Sequence, residues 1–207
     1  MLNLPARLDT WSKYQQQLGP AVGGWESGRQ KALWATPQAF GASEFWDRIP
    51  TADEEVAMTV LGVNHGAKGV VMWTWPTTEE LADVTSRLGR VLGRAGKWIL
   101  GARLERLEVK ALDVTVWVDE KEGTGLVSVV NPRREVLKGV VRVDMLEGWR
   151  AVEVEEVLWG DGGWRVGDEG EVEREGVKGL GVEIVVVRVE KVGGGVVRLP
   201  LGETSRA

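Results

Sequence analysis

Several residue types are scarce or missing in this sequence of 207 residues, and each absence excludes a class of site. The sequence has no cysteine, which excludes disulfides, cysteine-ligated zinc and a thiol nucleophile. A single histidine, His65, excludes metal sites that need several imidazoles. No apolar run reaches the roughly 18 residues that a membrane helix requires, and the first residues lack the basic and apolar segments of a signal peptide.

A basic surface is missing as well. The formal net charge is -5, the pI is near 5.2, and no run of Lys or Arg interrupts the acidic balance. A nucleic-acid partner is therefore not expected, because such surfaces need clustered positive charge. Tyr (1) and Phe (2) are rare, whereas 11 Trp and 28 Gly stand out.

The composition changes near residue 101. Residues 101–207 contain 25 of the valines and the whole net charge, whereas residues 1–100 contain 8 valines and 7 of the 11 tryptophans. Valine is β-branched and favours strands, so the change predicts a domain boundary near 101–106.

The first part has alternating helix and strand signals. Apolar spacing predicts a helix over 4–18 that ends at Gly19-Pro20, and further helices over 51–65 and 77–100. Short apolar runs at 31–36 and 69–75 predict strands, the second one covered on both faces. A strand, helix and strand of these lengths predict a parallel pair.

Two capping boxes mark the starts of the later helices. Thr51 precedes Glu54 by three residues, and Thr77 precedes Glu80 by the same spacing. His65-Gly66 is the expected end of the helix that begins after Thr51.

The second part alternates with a period of two and contains Gly, Asn-Pro and Asp-Gly turns, which predicts a small antiparallel β-sandwich. Val182–Val189 is apolar on both faces and is expected to be a central strand. The predicted strands are 113–119, 126–131, 137–143, 152–158 and 182–190.

Two motifs in the first part carry a family resemblance. The segments Pro37-Gln-Ala-Phe-Gly41 with Phe45-Trp46 and Arg48–Thr51, and then Asn64–Val70 with Trp73-Thr-Trp75, resemble the closing segment of a TIM-barrel glycoside hydrolase. The resemblance implies that 32–36 and 69–75 are the last two barrel strands. It further implies that residues 106–200 are the β-sandwich often appended to such barrels.

The implied architecture is a partial (β/α)8 barrel at 1–102 followed by a β-sandwich at 103–207. A complete barrel needs about 250 residues, so six strands have no place in this chain. We therefore expect a fragment that is inactive alone, with an N-terminal barrel half in the full-length protein. The resemblance implies glycosidic bond hydrolysis, a carbohydrate partner and secretion, although no signal peptide is visible.

The candidate substrate-binding residues lie where such barrels place their sites, at the carboxyl ends of the strands. Sugar rings stack on aromatic faces, and an amide offers both a donor and an acceptor to hydroxyls. The alternative is that the tryptophans fill the barrel interior. The candidates are Gln38, Phe40, Trp46, Trp73 and Trp75.

No catalytic residue can be assigned. Glycoside hydrolysis uses two carboxylates, and the segment 32–41 contains none. The nearby acids are attributed to solvated loops or, for Glu80, to helix capping; they are Glu44, Asp47, Glu79 and Glu80. His65 and Lys68 are expected at the opposite, structural end of the barrel. Neither the acids of the second part nor Gly193–Gly195 forms a metal or phosphate motif, so no cofactor is expected.

Two rival functions remain open. The first is a noncatalytic carbohydrate-binding or interaction module that uses exposed tryptophans of the sandwich, namely Trp149, Trp159 and Trp164. The second is a nonfunctional remnant. This hypothesis predicts a parallel strand pair without neighbouring strands and a large exposed apolar patch.

Overall fold

The computed structural model describes residues 3–21, 31–43 and 46–192. We call 3–101 within these ranges the helical region and 103–192 the sheet region. The elements in chain order are α1 (Asn3–Ala21), β1 (Trp34–Ala35), α2 (Ala52–Asn64), β2 (Gly69–Val70), α3 (Glu79–Gly101), β3 (Arg103–Val109), β4 (Leu112–Asp119), β5 (Thr124–Val130), β6 (Leu137–Val143), β7 (Trp149–Trp159), β8 (Arg165–Val166), β9 (Val172–Val177) and β10 (Val182–Lys191).

The helix starts differ in how well the sequence predicted them. Thr51 caps α2 with both bonds of a capping box: its hydroxyl accepts from the Glu54 amide, and the Glu54 carboxylate accepts from the Thr51 amide. The prediction for α3 was wrong by one residue, because Thr78 caps this helix by accepting from the Leu81 amide. Thr77 instead donates its hydroxyl to the Ala39 carbonyl at 2.6 Å, and Glu80 has no capping role.

Helix α1 continues through Gly19-Pro20 to Ala21, so its predicted end was too early. Its apolar stripe is also only partly buried. Leu8 packs against Ala35 and Ala67, but Trp11 is exposed because no other described element covers that side.

The parallel pairing of β1 and β2 confirms the strand, helix, strand prediction, but both strands are much shorter than expected. Trp34 pairs with Gly69 and Ala35 with Val70. The ladder then breaks at Pro37, which has no N–H to donate to the neighbouring strand. A single further bridge joins Gln38 to Trp73.

The prediction that 69–75 is covered on both faces was wrong. Val71, Trp73 and Trp75 are exposed, because β2 has only β1 as a neighbour among the described residues. On one face Val70 and Met72 pack against the core that α2 contributes to, whereas no described element covers the other face.

The sheet region contains two antiparallel sheets, with strand orders β3-β4-β5-β10-β7 and β6-β9-β8. The predicted strands are all present, and β10 lies inside the larger sheet between β5 and β7, as its two apolar faces indicated. The sequence reasoning missed β3, β8 and β9. Strand β3 has only three apolar residues, Leu104, Leu107 and Val109, which do not follow a period of two, and it forms a sheet edge.

The five-stranded sheet is covered on both faces. On one face α2 and α3 pack against it through Val60, Leu88, Trp98, Trp117 and Ile184. On the other face the three-stranded sheet packs through a second cluster that is rich in valine. The helical region is therefore fastened to the sheet region by a continuous apolar core.

Candidate functional site

The predicted site residues meet at one end of the β1–β2 pair. The Ala39 amide donates to the Trp73 carbonyl at 2.5 Å, and the Trp73 amide donates to the Pro37 carbonyl at 3.0 Å. These bonds join the segments that follow β1 and β2, so Gln38 and Trp73 lie side by side. The peptide bonds Trp73–Thr74 and Trp75–Pro76 are both cis.

Three tryptophans at this end are open to solvent. The exposed fraction is 44% for Trp46, 61% for Trp73 and 75% for Trp75. No described element buries these rings. The alternative that they fill the interior of a barrel stays a prediction, because the structure describes only one pair of the strands that such an interior needs. Aromatic faces in this position are accessible to a ligand. We call these residues, together with Gln38 and Phe40, the aromatic end.

The amide of Gln38 organises the loop beside the tryptophans. Its Nε2 atom donates to the Phe40 carbonyl at 2.7 Å and to the Arg48 carbonyl at 3.3 Å. Both donor protons are thus used within the chain. The amide oxygen receives no hydrogen bond from the described residues, so Gln38 offers a ligand an acceptor and not the donor and acceptor pair that its residue type suggested.

Phe40 orients Trp46. Their ring centroids are 5.4 Å apart with an interplanar angle of 69°, which is an edge-to-face contact. An antiparallel bridge between Ser43 and Trp46 closes the same loop. The half-buried Phe40 therefore supports Trp46, and only the tryptophan is exposed to solvent.

An ion pair between the exposed Arg48 and the buried Glu54 anchors the loop to α2. Arg48 binds Glu54 with two hydrogen bonds of 2.5 and 2.6 Å, and Arg134 from the loop after β5 reaches the same carboxylate at 2.5 Å. The Arg48 bonds, more than any other contact, lower the pKa of Glu54 to about 2. The aromatic end is thus attached both to α2 and to the sheet region.

The next residue, Glu55, was missed by the sequence reasoning. It is fully buried, and neither carboxylate oxygen has a hydrogen-bond partner in the described structure. Burial raises its pKa to about 7. Only its position in the first turn of α2, next to the capping Glu54, could have drawn attention to it, and acidic residues are common there for other reasons.

The other acids do not form a catalytic pair. Asp47, Glu79 and Glu80 are exposed, and Glu44 lies outside the described residues. The catalytic residues therefore stay unassigned. No group of three or more His, Cys, Asp or Glu that could hold a metal ion occurs within 3–21, 31–43 and 46–192.

His65 and Lys68 lie at the opposite end from the tryptophans, as expected. The Lys68 amide bonds the Leu33 carbonyl just before β1, and its ammonium donates to the Ile99 carbonyl at the end of α3. His65 contacts Asp9 and Asp113. Neither residue approaches the aromatic end.

The tryptophans of the sheet region are less accessible than expected. The prediction of a solvent-facing Trp164 was wrong: it is 7% exposed, and its indole N–H donates to Glu183. Trp149 and Trp159 are half-buried, with Lys191 and Arg87 respectively over their rings. The turn glycines beside these residues predicted exposed rings, but side chains from other elements lie over them.

Comparison with solved structures relates this fold to glycoside hydrolases. An Anoxybacillus alpha-amylase matches 89% of this chain with a TM-score of 0.54 and 16% identity. A family 30 endoxylanase from Clostridium papyrosolvens matches 87% with a TM-score of 0.49 and 14% identity. The chain spans 42% and 46% of these two proteins, less than half of each.

At these identities the likeness concerns the fold alone. No family model and no curated protein matches the sequence. No helix in the part of the chain that the structure describes has the length and apolar character needed to cross a membrane.

Proposed function

We propose that this chain is the C-terminal part of a glycoside hydrolase-like protein and that the aromatic end is a carbohydrate subsite. The observation that carries the proposal is the exposure of Trp46, Trp73 and Trp75 beside Gln38, at the end where two parallel strands finish. Exposed indole rings stack on the apolar faces of sugars, and the free amide oxygen of Gln38 accepts a hydroxyl proton.

The architecture in this proposal is a partial barrel over 1–102 and a β-sandwich over 103–207. Supporting it, β1 and β2 pair only with each other among the described residues, so each has one edge without a strand. Trp34 and Val71 on these strands are exposed. Unpaired edges with apolar neighbours call for further strands, which we assign to a barrel half outside this sequence.

Glycosidic bond hydrolysis belongs to the whole protein in this proposal, and this chain alone has no turnover. None of the five residues of the aromatic end is a carboxylate, whereas the reaction requires a facing pair of them. An in-frame upstream coding sequence with repeated strand and helix units and a Glu-bearing strand would support the assignment. An upstream stop codon would contradict it.

Binding is tested by titrating the full chain with xylo-oligosaccharides and, separately, malto-oligosaccharides, using calorimetry and tryptophan fluorescence. Each stacked ring contributes roughly 0.5–1.5 kcal/mol, so Trp73→Ala or Trp75→Ala should weaken association by roughly 2- to 10-fold. Trp11→Ala is the matched control, because Trp11 is 58% exposed but lies on α1.

Equal losses in Trp75→Ala and Trp11→Ala would overturn the subsite. Binding that survives both changes but fails in Trp149→Ala would favour the rival module on the sheet region. In either case unfolding by urea checks that each variant retains the wild-type stability.

A further inference from the structure

The chain's only histidine joins three elements at the end of the fold opposite the tryptophans. His65 follows α2 directly, and its Nδ1 atom lies 3.0 Å from Asp9 Oδ1 on α1. Its Nε2 atom lies 2.6 Å from Asp113 Oδ2 on β4. Both ring nitrogens therefore face a carboxylate, an arrangement in which both can donate only when the imidazole is protonated.

A competing cation stands beside the same ring. Arg106 on β3 places Nη1 at 2.5 Å from Asp9 Oδ1 and at 2.6 Å from His65 Nδ1. When His65 is neutral with its proton on Nε2, the Nδ1 lone pair repels Asp9 and accepts a hydrogen bond from Arg106 instead. Loss of one proton therefore replaces the bond from His65 to Asp9 on α1 by a bond from Arg106 on β3 to His65.

Among the described residues, few other contacts hold α1 in place. Its buried contact is Leu8 against Ala35 and Ala67, with Leu4 partly buried beside them. The Gln15 side chain also accepts a bond from the Lys31 amide. Compared with the cores of α2 and α3 this apolar cluster is small, so the polar contacts at Asp9 carry weight in the docking of α1.

We propose that His65 is a pH-sensitive latch that fastens α1 to α2 and to the five-stranded sheet when its imidazole is protonated. In this state Nδ1–H donates to Asp9 and Nε2–H donates to Asp113. Deprotonation removes the bond from His65 to Asp9 and leaves that carboxylate only its bond from Arg106, so α1 then undocks more readily from β1 and α2. The aromatic end does not take part in this change, since it lies at the opposite end of the β1–β2 pair.

The remaining charged and polar groups around the ring fit this role. The Asn64 side chain donates to Asp113 Oδ1 at 2.7 Å and fixes that carboxylate. Arg133, from the loop after β5, lines the same cleft of about 530 Å³, which gives the ring access to solvent protons. Burial acts to lower the pKa of His65, but the bonds to Asp113 and Asp9 outweigh it and raise the pKa above its ordinary value.

The sign of the effect follows from linkage. A raised pKa in the folded state means that the latch contributes fully below the pKa of the unfolded chain and is lost as pH rises through the folded value. Each pKa unit by which docking raises His65 corresponds to a roughly tenfold change in the docking constant of α1.

The test uses NMR on the full chain, in which one imidazole Cε1–H signal reports His65 alone. We expect its titration above the ordinary histidine pKa, and amide protection factors in α1 that fall several-fold between about pH 5 and about pH 8.5, after correction for intrinsic exchange. In Asp9→Asn the His65 titration should move down and the protection of α1 should lose its pH dependence. Asp144→Asn, at an exposed position outside the cluster, is the matched control.

Three results would overturn the latch: α1 protection that does not change with pH in the wild type, the same pH dependence in Asp9→Asn as in the wild type, or a His65 titration that Asp9→Asn leaves in place. Protection of β5 and β10 amides distinguishes local undocking from global unfolding, because only the latter exposes these interior strands.

Discussion

The helical region and the sheet region differ in the exposure of their tryptophans and in the pairing of their buried glutamates. In the helical region five described tryptophans are exposed and one, Trp98, is buried, whereas in the sheet region all four are buried or half-buried. The difference follows from neighbours: the five-stranded sheet is covered on both faces, but each strand of the β1–β2 pair has one edge without a partner strand in the part of the chain that the structure describes. Exposure in the helical region thus reflects the lack of a covering layer among the described residues.

The same contrast applies to two buried glutamates. Glu183 on β10 accepts bonds from the Trp164 indole and the Asp161 amide and pairs with Arg174. Glu55 on α2 is equally buried, its oxygens make no well-formed hydrogen bond, and the Thr59 hydroxyl one turn along the helix offsets only part of the effect of burial on its pKa. A satisfied buried charge supports the fold, whereas an unsatisfied one opposes it whenever it is ionised.

The largest expected effect comes from the core that joins the two regions. Trp117→Ala removes a ring that is 1% exposed and packs between the sheet and the helices, and it should cost about 3–5 kcal/mol of unfolding free energy. Urea denaturation followed by circular dichroism measures the loss. Trp75→Ala, at an exposed position, should stay within about 0.5 kcal/mol. Similar losses in both variants would remove the contrast between the regions.

Glu183→Gln should destabilise the chain by about 3 kcal/mol, because it leaves the Arg174 guanidinium with no compensating charge in a nearly buried site. The measurement is the same urea titration near neutral pH. Glu190→Gln is a suitable control, since its pair with Arg150 is exposed and should contribute little. An unchanged midpoint in Glu183→Gln would show that the buried pair is not a stabilising feature of the sheet region.

Glu55→Gln should act in the opposite direction and depend on pH. The folded pKa of about 7 exceeds the ordinary value of 4.5, so the folded state binds more protons between them and wild-type stability falls as pH rises through that window. The unfolding free energy of the variant relative to that of the wild type should therefore increase by on the order of 2–3 kcal/mol between about pH 4.5 and about pH 8. A stability difference that is constant over this range would contradict the unpartnered state of Glu55.

The smallest effect concerns the two helix caps of the helical region. Thr51→Ala removes a complete capping box and should cost about 1–2 kcal/mol, whereas Thr78→Ala removes a single bond and should cost about 0.5–1 kcal/mol. Thermal or urea unfolding resolves the order of the two losses. A greater loss for Thr78→Ala would indicate that the Glu54 network does not depend on its cap.

The sequence predicted the elements well where a pattern of a few neighbouring residues decides them. The box at Thr51 and Glu54, the apolar run of β10 and the parallel pairing of β1 with β2 all follow from short-range patterns. The lengths of β1 and β2 do not follow from short-range patterns. A ladder extends only where the neighbouring strand supplies N–H donors, and Pro37 has no N–H. The adjacent threonines Thr77 and Thr78 also could not be ranked, since the Ala39 carbonyl that engages Thr77 is distant in sequence.

The candidate site shows the same division. The resemblance to TIM-barrel glycoside hydrolases implied that Gln38, Phe40, Trp46, Trp73 and Trp75 lie at one end of the strand pair, and their role as a subsite stays a prediction. The sequence could not tell that both donors of Gln38 are occupied, that Trp164 is covered, or that Glu55 lacks a partner. Each of these depends on groups brought together from different elements.

By itself the sequence determined the helix and strand order of the first part, the change of character near residue 101, the absence of cysteine chemistry and the aromatic identity of the strand ends. Tertiary structure alone decided which aromatic rings meet solvent, which buried carboxylates are paired, and which groups surround His65. The reason is physical: propensity, caps and periodicity act over a few residues, whereas burial and charge pairing depend on neighbours such as Asp113 and Arg106 that are about 40 to 50 positions away along the chain.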